Sequence, residues 1–360
     1  MNKKLTVGII FGGRSVEHKI SMLSASNIVD NIDKERFEIK LIGISQKGKW
    51  FYFHEFGQDW EQGELLNLRL NMTRNPFFLE KTGESIGSLD IMFPILHGND
   101  GEDGAIQGFL KTFDIPFVGS GVLGSSVSMD KVVSKKILMQ EGIPVSRYLS
   151  FLVEEKEDID FHSVKEELGL PLIIKPVASG SSVGVSKVTD EKGFYQALED
   201  TFQYDNHVIV EEYVEGREIE CAVMGNIHPD PSLPGEIIVS DEYGFYSFDA
   251  KYVDESGAKL EIPAKLDEAT VMKVQKLAVR AYKALCCEDF SRVDMFLKPD
   301  GELILLEINT IPGFTSISMF SKLRSLKGIN NTELISSLID GALKKSEREQ
   351  RIRRDFDSAL

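Results

Sequence analysis

Glu307 and Asn309 stand two apart in Glu307-Ile-Asn-Thr-Ile-Pro-Gly-Phe-Thr315, directly after the apolar run Leu303-Ile-Leu-Leu306. The run predicts a buried strand, on which both side chains leave the same face. A carboxylate and an amide oxygen side by side are hard ligands suited to Mg²⁺. Upstream, Arg292-Val-Asp-Met-Phe-Leu297 repeats the spacing with Arg292 and Asp294, and the turn Lys298-Pro-Asp-Gly301 predicts a hairpin. That hairpin offers Asp294, Glu307 and Asn309 to a metal, with a guanidinium beside it. Taken singly, each reads as a solvated polar residue at a strand end. It is four of them on one hairpin that favours chemistry.

A second group is Lys175-Pro-Val-Ala-Ser-Gly-Ser-Ser-Val-Gly-Val185. Two glycines and three serines in a tight loop expose N–H groups and hydroxyls to phosphate oxygens, and Lys175 can add positive charge. No Gly-Lys-Ser/Thr closes the loop and a strand follows it, so it is not a Walker A loop. A mobile surface hairpin is the alternative.

Other candidates are weaker alone. In Val208-Ile-Val-Glu-Glu-Tyr-Val-Glu-Gly-Arg-Glu218 a strand ends in carboxylates that could hydrogen-bond a purine edge and a ribose, although a charged strand end explains them as well. Glu17, after the first strand, could hold a substrate ammonium or cap the next helix. His97 closes an apolar strand, where a histidine is usually structural. Gly119-Ser-Gly-Val-Leu-Gly124 matches the dinucleotide fingerprint. However, its strand is short, and the acidic residue expected about twenty positions on falls at Glu141, a helix end.

These groups need sheets to hold them. Leu5–Phe11, a helical pattern through Ile20, Leu23, Ile28 and Val29, and the strand Phe37–Ile44 form a β-α-β opening, which predicts a parallel sheet. A polar excursion (Trp50–Glu84), a strand (Leu89–Leu96), a helix (Ala105–Phe113) and a short strand (Ile115–Val118) complete a first domain over 1–120. A helix over Met129–Met139, strands at Leu172–Lys175, Val183–Val188 and Val208–Val214, and a helix at Lys192–Phe202 give a second unit over 121–215. The stretch 216–335 is strand-rich from Glu218–Met224 onward, with a helix at Glu268–Leu285. The tail 336–360 is helical and then densely charged, which predicts a solvated or frayed helix. The fold class is thus α/β followed by antiparallel α+β.

Bulk properties fit that division. A chain of 360 residues predicts two or three domains. The net charge of −16 argues against nucleic acid or an anionic membrane as a partner. Cys221, Cys286 and Cys287 form neither a disulfide framework nor a zinc spacing. No apolar run reaches membrane-span length, and the apolar start has no cleavage site. A cytoplasmic protein is expected.

Five motifs occur here in the order found in D-alanine–D-alanine ligases of the ATP-grasp superfamily. They are Gly12-Gly-Arg-Ser-Val-Glu-His-Lys-Ile-Ser21, Leu96-His-Gly-Asn-Asp-Gly-Glu-Asp-Gly104, Gly119–Gly124 with Met129-Asp-Lys131, Lys175 with Gly180-Ser-Ser-Val-Gly184, and Asn309–Thr315. The chain resembles that family over roughly residues 5–325. The resemblance implies a three-domain ATP-grasp fold with an N-terminal parallel α/β (preATP-grasp) domain, and ATP between the other two domains. Lys131, Lys175 and Lys251 would contact the nucleotide phosphates, and Ser181 and Ser182 would belong to the loop that closes over them. Glu211 and the following backbone (Glu212, Tyr213, Val214) would hold adenine, and Glu218 the ribose. Two Mg²⁺ (or Mn²⁺) would be held by Asp294, Glu307 and Asn309.

The implied chemistry is phosphorylation of the carboxylate of a first D-alanine by ATP, then attack by the amine of a second D-alanine, with phosphate leaving. Glu17 would anchor the first ammonium, with His97 nearby. Arg292 and the Gly313 N–H would form an oxyanion hole. Ser318 would bind the second carboxylate, with Met319 beside it, and Glu17, Ser181 and Tyr252 would close the site. Similar ligases that make D-alanyl-D-lactate tend to lack tyrosine at the Tyr252 position, so a dipeptide product is favoured over D-lactate. Ser318-Met319 favours D-alanine over D-serine. Ser318-Met-Phe-Ser-Lys-Leu323 departs from relatives that carry proline before the lysine. The resemblance also implies a homodimer and a role in peptidoglycan precursor synthesis. The rival readings are an ATP-grasp ligase using D-serine or D-lactate, and a nucleotide-binding regulatory protein without turnover.

Overall fold

A computed structural model describes residues 3–239, 258–315 and 318–353. Its first sheet is built by β1 (Leu5–Gly12), α1 (His18–Asn31), β2 (Phe37–Ile44), β3 (Trp50–Phe53), β4 (Glu64–Leu68), β5 (Phe77–Leu79), β6 (Ile91–Pro94) and α2 (Ala105–Thr112). The strand order is β5-β4-β3-β2-β1-β6. β1 runs parallel to β2 and β6. Val7, Ile9, Ile10 and Phe11 of β1 are all buried, the unbroken apolar run expected of a strand covered on both faces. The polar excursion after β2 folds as the antiparallel strands β3, β4 and β5.

The second sheet collects α3 (Val122–Met129), α4 (Lys131–Gln140), β7 (Tyr148–Leu152), α5 (Phe161–Leu168), β8 (Leu172–Pro176), β9 (Ser186–Val188), α6 (Glu191–Thr201) and β10 (His207–Glu212). Its order, β7-β10-β8-β9, is antiparallel throughout. The third collects β11 (Arg217–Met224), β12 (Asp230–Pro231), β13 (Gly235–Val239), β14 (Ala258–Glu261), α7 (Glu268–Ala284), β15 (Phe290–Leu297), β16 (Leu303–Asn309), α8 (Met319–Ser325) and α9 (Asn331–Gln350). Its path is β14-β13-β11-β15-β16. The mixed α/β and α+β class matches the sequence expectation.

Several expectations need correction. The helix expected over Met129–Met139 is broken at Asp130, whose carboxylate accepts from the N–H groups of Val132 (3.0 Å) and Val133 (2.8 Å) and caps α4. The short strand Ile115–Val118 is a single bridge between Met92 and Phe117, since Pro116 has no N–H to extend a ladder. The expected strand Val183–Val188 keeps only β9, because Ser181 (φ +53°) and Ser182 (φ +57°) hold left-handed conformations before it.

The tail is not a solvated helix over its whole length. A reciprocal cap between Asn330 and Glu333 starts α9. Leu334, Ile335, Leu338, Ile339 and Ala342 are buried in one cluster with Ile28 and Phe93 of the first unit and Phe314 and Phe320 of the third. Lys345 is buried too, donating to the Gly119 carbonyl (2.6 Å) and to Asp289 Oδ2 (2.7 Å). Each large apolar side chain in such a cluster contributes about 1.5–3 kcal/mol, so this shared core joins the first unit to the third.

The Gly119–Gly124 fingerprint is filled by the protein itself. Asp289 Oδ2 accepts from Gly119 N–H (2.9 Å) and Glu288 Oε2 from Gly121 N–H (3.1 Å). Gly124 leaves no room for a Cβ against the Cys286 carbonyl. Carboxylates stand where a pyrophosphate would have to lie, so the dinucleotide reading is excluded.

Candidate functional site

β15 and β16 pair so that Arg292 faces Asn309 and Asp294 faces Glu307. Arg292 donates to both Asp294 oxygens, Nε to Oδ1 at 2.8 Å and Nη2 to Oδ2 at 2.6 Å. It also lies 3.2 Å from Glu220 Oε2 on the neighbouring β11. Burial opposes the guanidinium charge, but Asp294 and Glu220 outweigh it and hold its pKa well above the ordinary arginine value. Asn309 Nδ2 donates to Asp294 Oδ2 at 3.2 Å. Among the described residues no three His, Cys, Asp or Glu side chains gather as a metal cluster. Asp294, Glu307 and the Asn309 amide oxygen nonetheless fit a hard divalent cation, as oxygen donors on one face with two carboxylates in direct opposition.

The loop after β8 arches over Glu17. The Ser181 hydroxyl donates to Glu17 Oε1, and Gly180 comes so close that a Cβ there would lie 2.7 Å from Glu17 Oε2. Gly98 makes an equally close approach from the other side. Glu17 is buried and makes no side-chain cap on α1, so the capping alternative does not hold. His97 uses both ring nitrogens, Nδ1 with the Ile311 carbonyl (2.9 Å) and Nε2 with Ser24 Oγ (3.0 Å). Burial lowers its pKa to about 4 and keeps the ring neutral. It therefore bolts the Ile311–Gly313 turn to the first sheet.

Glu102 and Ser24 join that attachment and carried no role in the sequence reading. Glu102 accepts from Gly98 N–H (2.8 Å) and Ile311 N–H (3.0 Å). Burial, and then the negative charge of Glu17, push its carboxyl well above the usual range. Ser24 Oγ accepts from Phe314 N–H at 3.2 Å. Only the acidic character of the Leu96–Gly104 motif could have hinted at Glu102.

Nearly all the expected nucleotide residues line one cavity of about 380 Å³: Lys131, Lys175, Ser181, Ser182, Glu211, Glu212, Tyr213, Val214 and Glu218, together with Glu307. That volume lies within the range of small-molecule sites. Lys131 Nζ donates to the Ser179 carbonyl at 2.6 Å. Lys175 Nζ lies 3.0 Å from Glu211 Oε2. The Glu212 carboxylate is taken by Arg147, through its N–H (2.8 Å) and Nε (2.7 Å). The Glu212 and Tyr213 N–H groups go to the Arg147 and Pro171 carbonyls. Of these three backbone N–H groups, this leaves that of Val214 to donate to a purine.

The structure does not gather every expected residue. Met319 is buried in the core, and a Cβ on Gly235 would touch its sulfur. It packs as an apolar core residue directly after Ser318. Ser318 Oγ accepts from Thr315 N–H at 3.0 Å and pairs with the Thr315 hydroxyl at 2.8 Å. It lies next to Gly313, where a Cβ would be 3.0 Å away. Lys251 and Tyr252 lie outside the described residues.

Comparison with known proteins adds an independent line. Residues 6–120 match the family described as "D-ala D-ala ligase N-terminus", and residues 137–340 match "D-ala D-ala ligase C-terminus". A D-alanine–D-alanine ligase of Oceanobacillus iheyensis is 46% identical, with 98% of each chain covered. D-alanine–D-alanine ligase A of Escherichia coli is 42% identical, covering 95% of this chain and 97% of the relative. Among solved structures, the D-alanine–D-alanine ligase of Coxiella burnetii superposes with a TM-score of 0.85 at 32% identity, over 97% of this chain and 96% of its own. The VanG D-Ala:D-Ser ligase of Enterococcus faecalis gives 0.85 at 34%, over 94% and 100%.

Proposed function

The chain belongs to the D-alanine–D-alanine ligase family, and from that premise we propose that it joins two D-alanines at the expense of ATP, through an acyl phosphate. The observation that carries the reading is the hydrogen bond from Ser181 to Glu17. It closes the serine–glycine loop of the second sheet onto an acidic group of the first, beside the β15–β16 hairpin. The same loop lines the cavity together with Glu307 of the metal-suited face.

In this reading residues 1–120 hold the first substrate, 121–215 supply the phosphate loop, and 216–335 supply the metal face, with 336–360 as the tail. Glu17 receives the first ammonium and sets that substrate's carboxylate toward the loop. Lys131 and Lys175, with Lys251, offset charge on the phosphates, and Ser181 and Ser182 cover them. Glu211, with the Val214 backbone, takes adenine, and Glu218 the ribose. Asp294, Glu307 and Asn309 would hold two Mg²⁺, which as Lewis acids offset the charge of the transferring phosphoryl group. Arg292 and the Gly313 N–H steady the tetrahedral oxyanion formed when the second amine attacks. Ser318 takes the second carboxylate. His97 and Glu102 act one step back, by fixing the turn that carries Gly313. Tyr252 would complete the closing set with Glu17 and Ser181. The reading extends to a cytoplasmic homodimer supplying peptidoglycan precursors. Among the described residues no helix is long and apolar enough to cross a membrane.

Phosphate release with ATP and Mg²⁺ is the test, offering D-alanine, L-alanine, D-serine and D-lactate in turn. D-alanine alone should stimulate release and yield the dipeptide; ATP hydrolysis indifferent to D-alanine would sink the reading. A second reading, with D-serine as the second substrate, is kept by the likeness to the D-Ala:D-Ser ligase. A mixed D-alanyl-D-serine product at comparable rate would favour it.

A further inference from the structure

Lys135 has no role in the site built above. It lies one turn beyond Lys131 on α4, so the two side chains leave the same face of the helix. Lys131 reaches toward the phosphate loop. Lys135 reaches the opposite end, donating to Ser146 Oγ at 2.8 Å and lying 3.1 Å from Glu211 Oε1, near the Tyr148 ring. The other oxygen of Glu211 is held by Lys175 at 3.0 Å. Lys135 is 1% exposed and Glu211 3%. One buried carboxylate therefore lies between two buried ammonium groups, on the wall of the cavity that would receive the purine.

The two lysines are not equivalent. Lys175 lines the cavity with Glu211, so in the proposed reaction its charge is shared with the phosphates. Lys135 lies behind the wall and serves the carboxylate. Among the described residues, the charged or titratable groups around Glu211 are Lys131 and Lys135 from α4, Lys175 from β8, Tyr148 from β7, and Glu212 on its own strand.

An ionised carboxylate only accepts hydrogen bonds. It suits the 6-amino group of adenine and opposes the 6-oxo group of hypoxanthine or guanine. A protonated carboxyl can donate as well as accept, and loses that preference. We propose that Lys135 is a positioning and specificity-determining residue, which fixes Glu211 as a pure acceptor and so selects 6-amino over 6-oxo purine nucleotides. The inference rests on the reading that the cavity holds ATP with adenine at Glu211.

Titration calorimetry of the full chain with Mg²⁺ and either ADP or IDP tests it without needing turnover. The native protein should bind ADP more tightly than IDP, with a ratio flat from about pH 6 to about pH 8, because its two lysines overcome burial and hold Glu211 down to about 2. Lys135→Gln keeps a polar partner for Ser146 but removes the charge. It should lower the ADP:IDP ratio about tenfold near pH 6, with the ratio recovering as pH rises and Glu211 ionises again. A merely structural role would weaken both nucleotides equally at every pH, and that result overturns the proposal. So does a native protein that does not discriminate. If Lys135→Gln does not fold, Glu211→Gln reads the same link: an amide can donate or accept, so a retained ratio there overturns it too. Loss of D-alanine-dependent turnover with nucleotide discrimination intact would count against the proposed function and leave Lys135 its role.

Discussion

Asp294 and Glu307 stand directly opposite each other across β15 and β16, and the register shifts immediately after Asp294. Like charges in direct opposition destabilise a sheet. Here Arg292 grips both oxygens of Asp294, and the bulge re-aims the strand next to the pair. The hairpin thus holds two carboxylates close together beside a fixed guanidinium, and its oxygen donors from both strands on one face suit a divalent ion.

Glu307→Gln should therefore cut turnover by roughly a hundredfold or more, since each metal contact carries several kcal/mol of transition-state stabilisation. The melting temperature should stay close to the native value, because lost repulsion against Asp294 is set against lost attraction to Arg292 and Lys131. Chelation of divalent ions should abolish turnover of the native protein, and Mg²⁺ or Mn²⁺ should restore it. Near-normal kcat in the variant, with thermal unfolding as a control on folding, would remove Glu307 from the metal face.

Much of this site was legible in the sequence because its parts are local. Strand periodicity put Asp294 with Arg292 and Glu307 with Asn309, and turn chemistry joined the strands. The Lys175–Val185 loop announced itself by its glycines and serines. Long-range pairing left no such mark. Nothing near Glu102 says that it meets the Ile311 N–H, 209 positions away. Nothing near Lys345 says that a charged helix end will be buried against Gly119. The Gly119–Gly124 fingerprint misled because a glycine pattern reports room for close approach, not what approaches.

The Lys345–Asp289 pair should matter for stability more than for chemistry. Asp289 Oδ2 accepts from both Lys345 and Gly119 N–H, while its Oδ1 takes Asn226 Nδ2 at 2.7 Å. Removing one member of a buried pair leaves the other charge uncompensated, at about 3–5 kcal/mol. Lys345→Met is expected to lower the urea midpoint accordingly, with KM for ATP and D-alanine nearly unchanged. A native-like midpoint would show that the contact contributes little.

The neutral state of His97 gives a pH prediction with a definite sign. Its folded pKa is about 4 against 6.5 for an ordinary histidine, so below about pH 6.5 the unfolded chain binds the extra proton. The contribution is fully present above that pH and is lost as pH falls toward 4, amounting to about 3 kcal/mol. Glu102, whose carboxyl is raised by burial, works in the opposite direction over part of the same window. The comparison must therefore be between the native chain and His97→Gln. Urea titrations at about pH 7 and about pH 5 should show the native protein losing more stability than the variant over that interval. Equal losses would mean that His97 titrates normally.

Gly98 and Gly180 crowd Glu17 from two sides, and the two contacts should fail differently. Gly98 has φ +73°, and a Cβ there would lie 2.5 Å from Glu17 Oε2 and 2.6 Å from Ser15 Oγ. Gly98→Ala would add left-handed strain of about 1 kcal/mol or more and displace the carboxylate, so stability and KM for the first D-alanine should both suffer. Gly180 carries no left-handed strain, and its Cβ would meet Glu17 Oε2 at 2.7 Å only while the loop is closed. An alanine there can be accommodated by letting the loop stand open. Gly180→Ala should therefore melt within a few degrees of the native protein, yet lose the Ser181–Glu17 contact and with it much of kcat/KM for D-alanine. Steady-state kinetics beside thermal unfolding separates the two. If Gly180→Ala keeps native kinetics, loop closure onto Glu17 is not needed for turnover, and the contact that carries the functional reading loses its force.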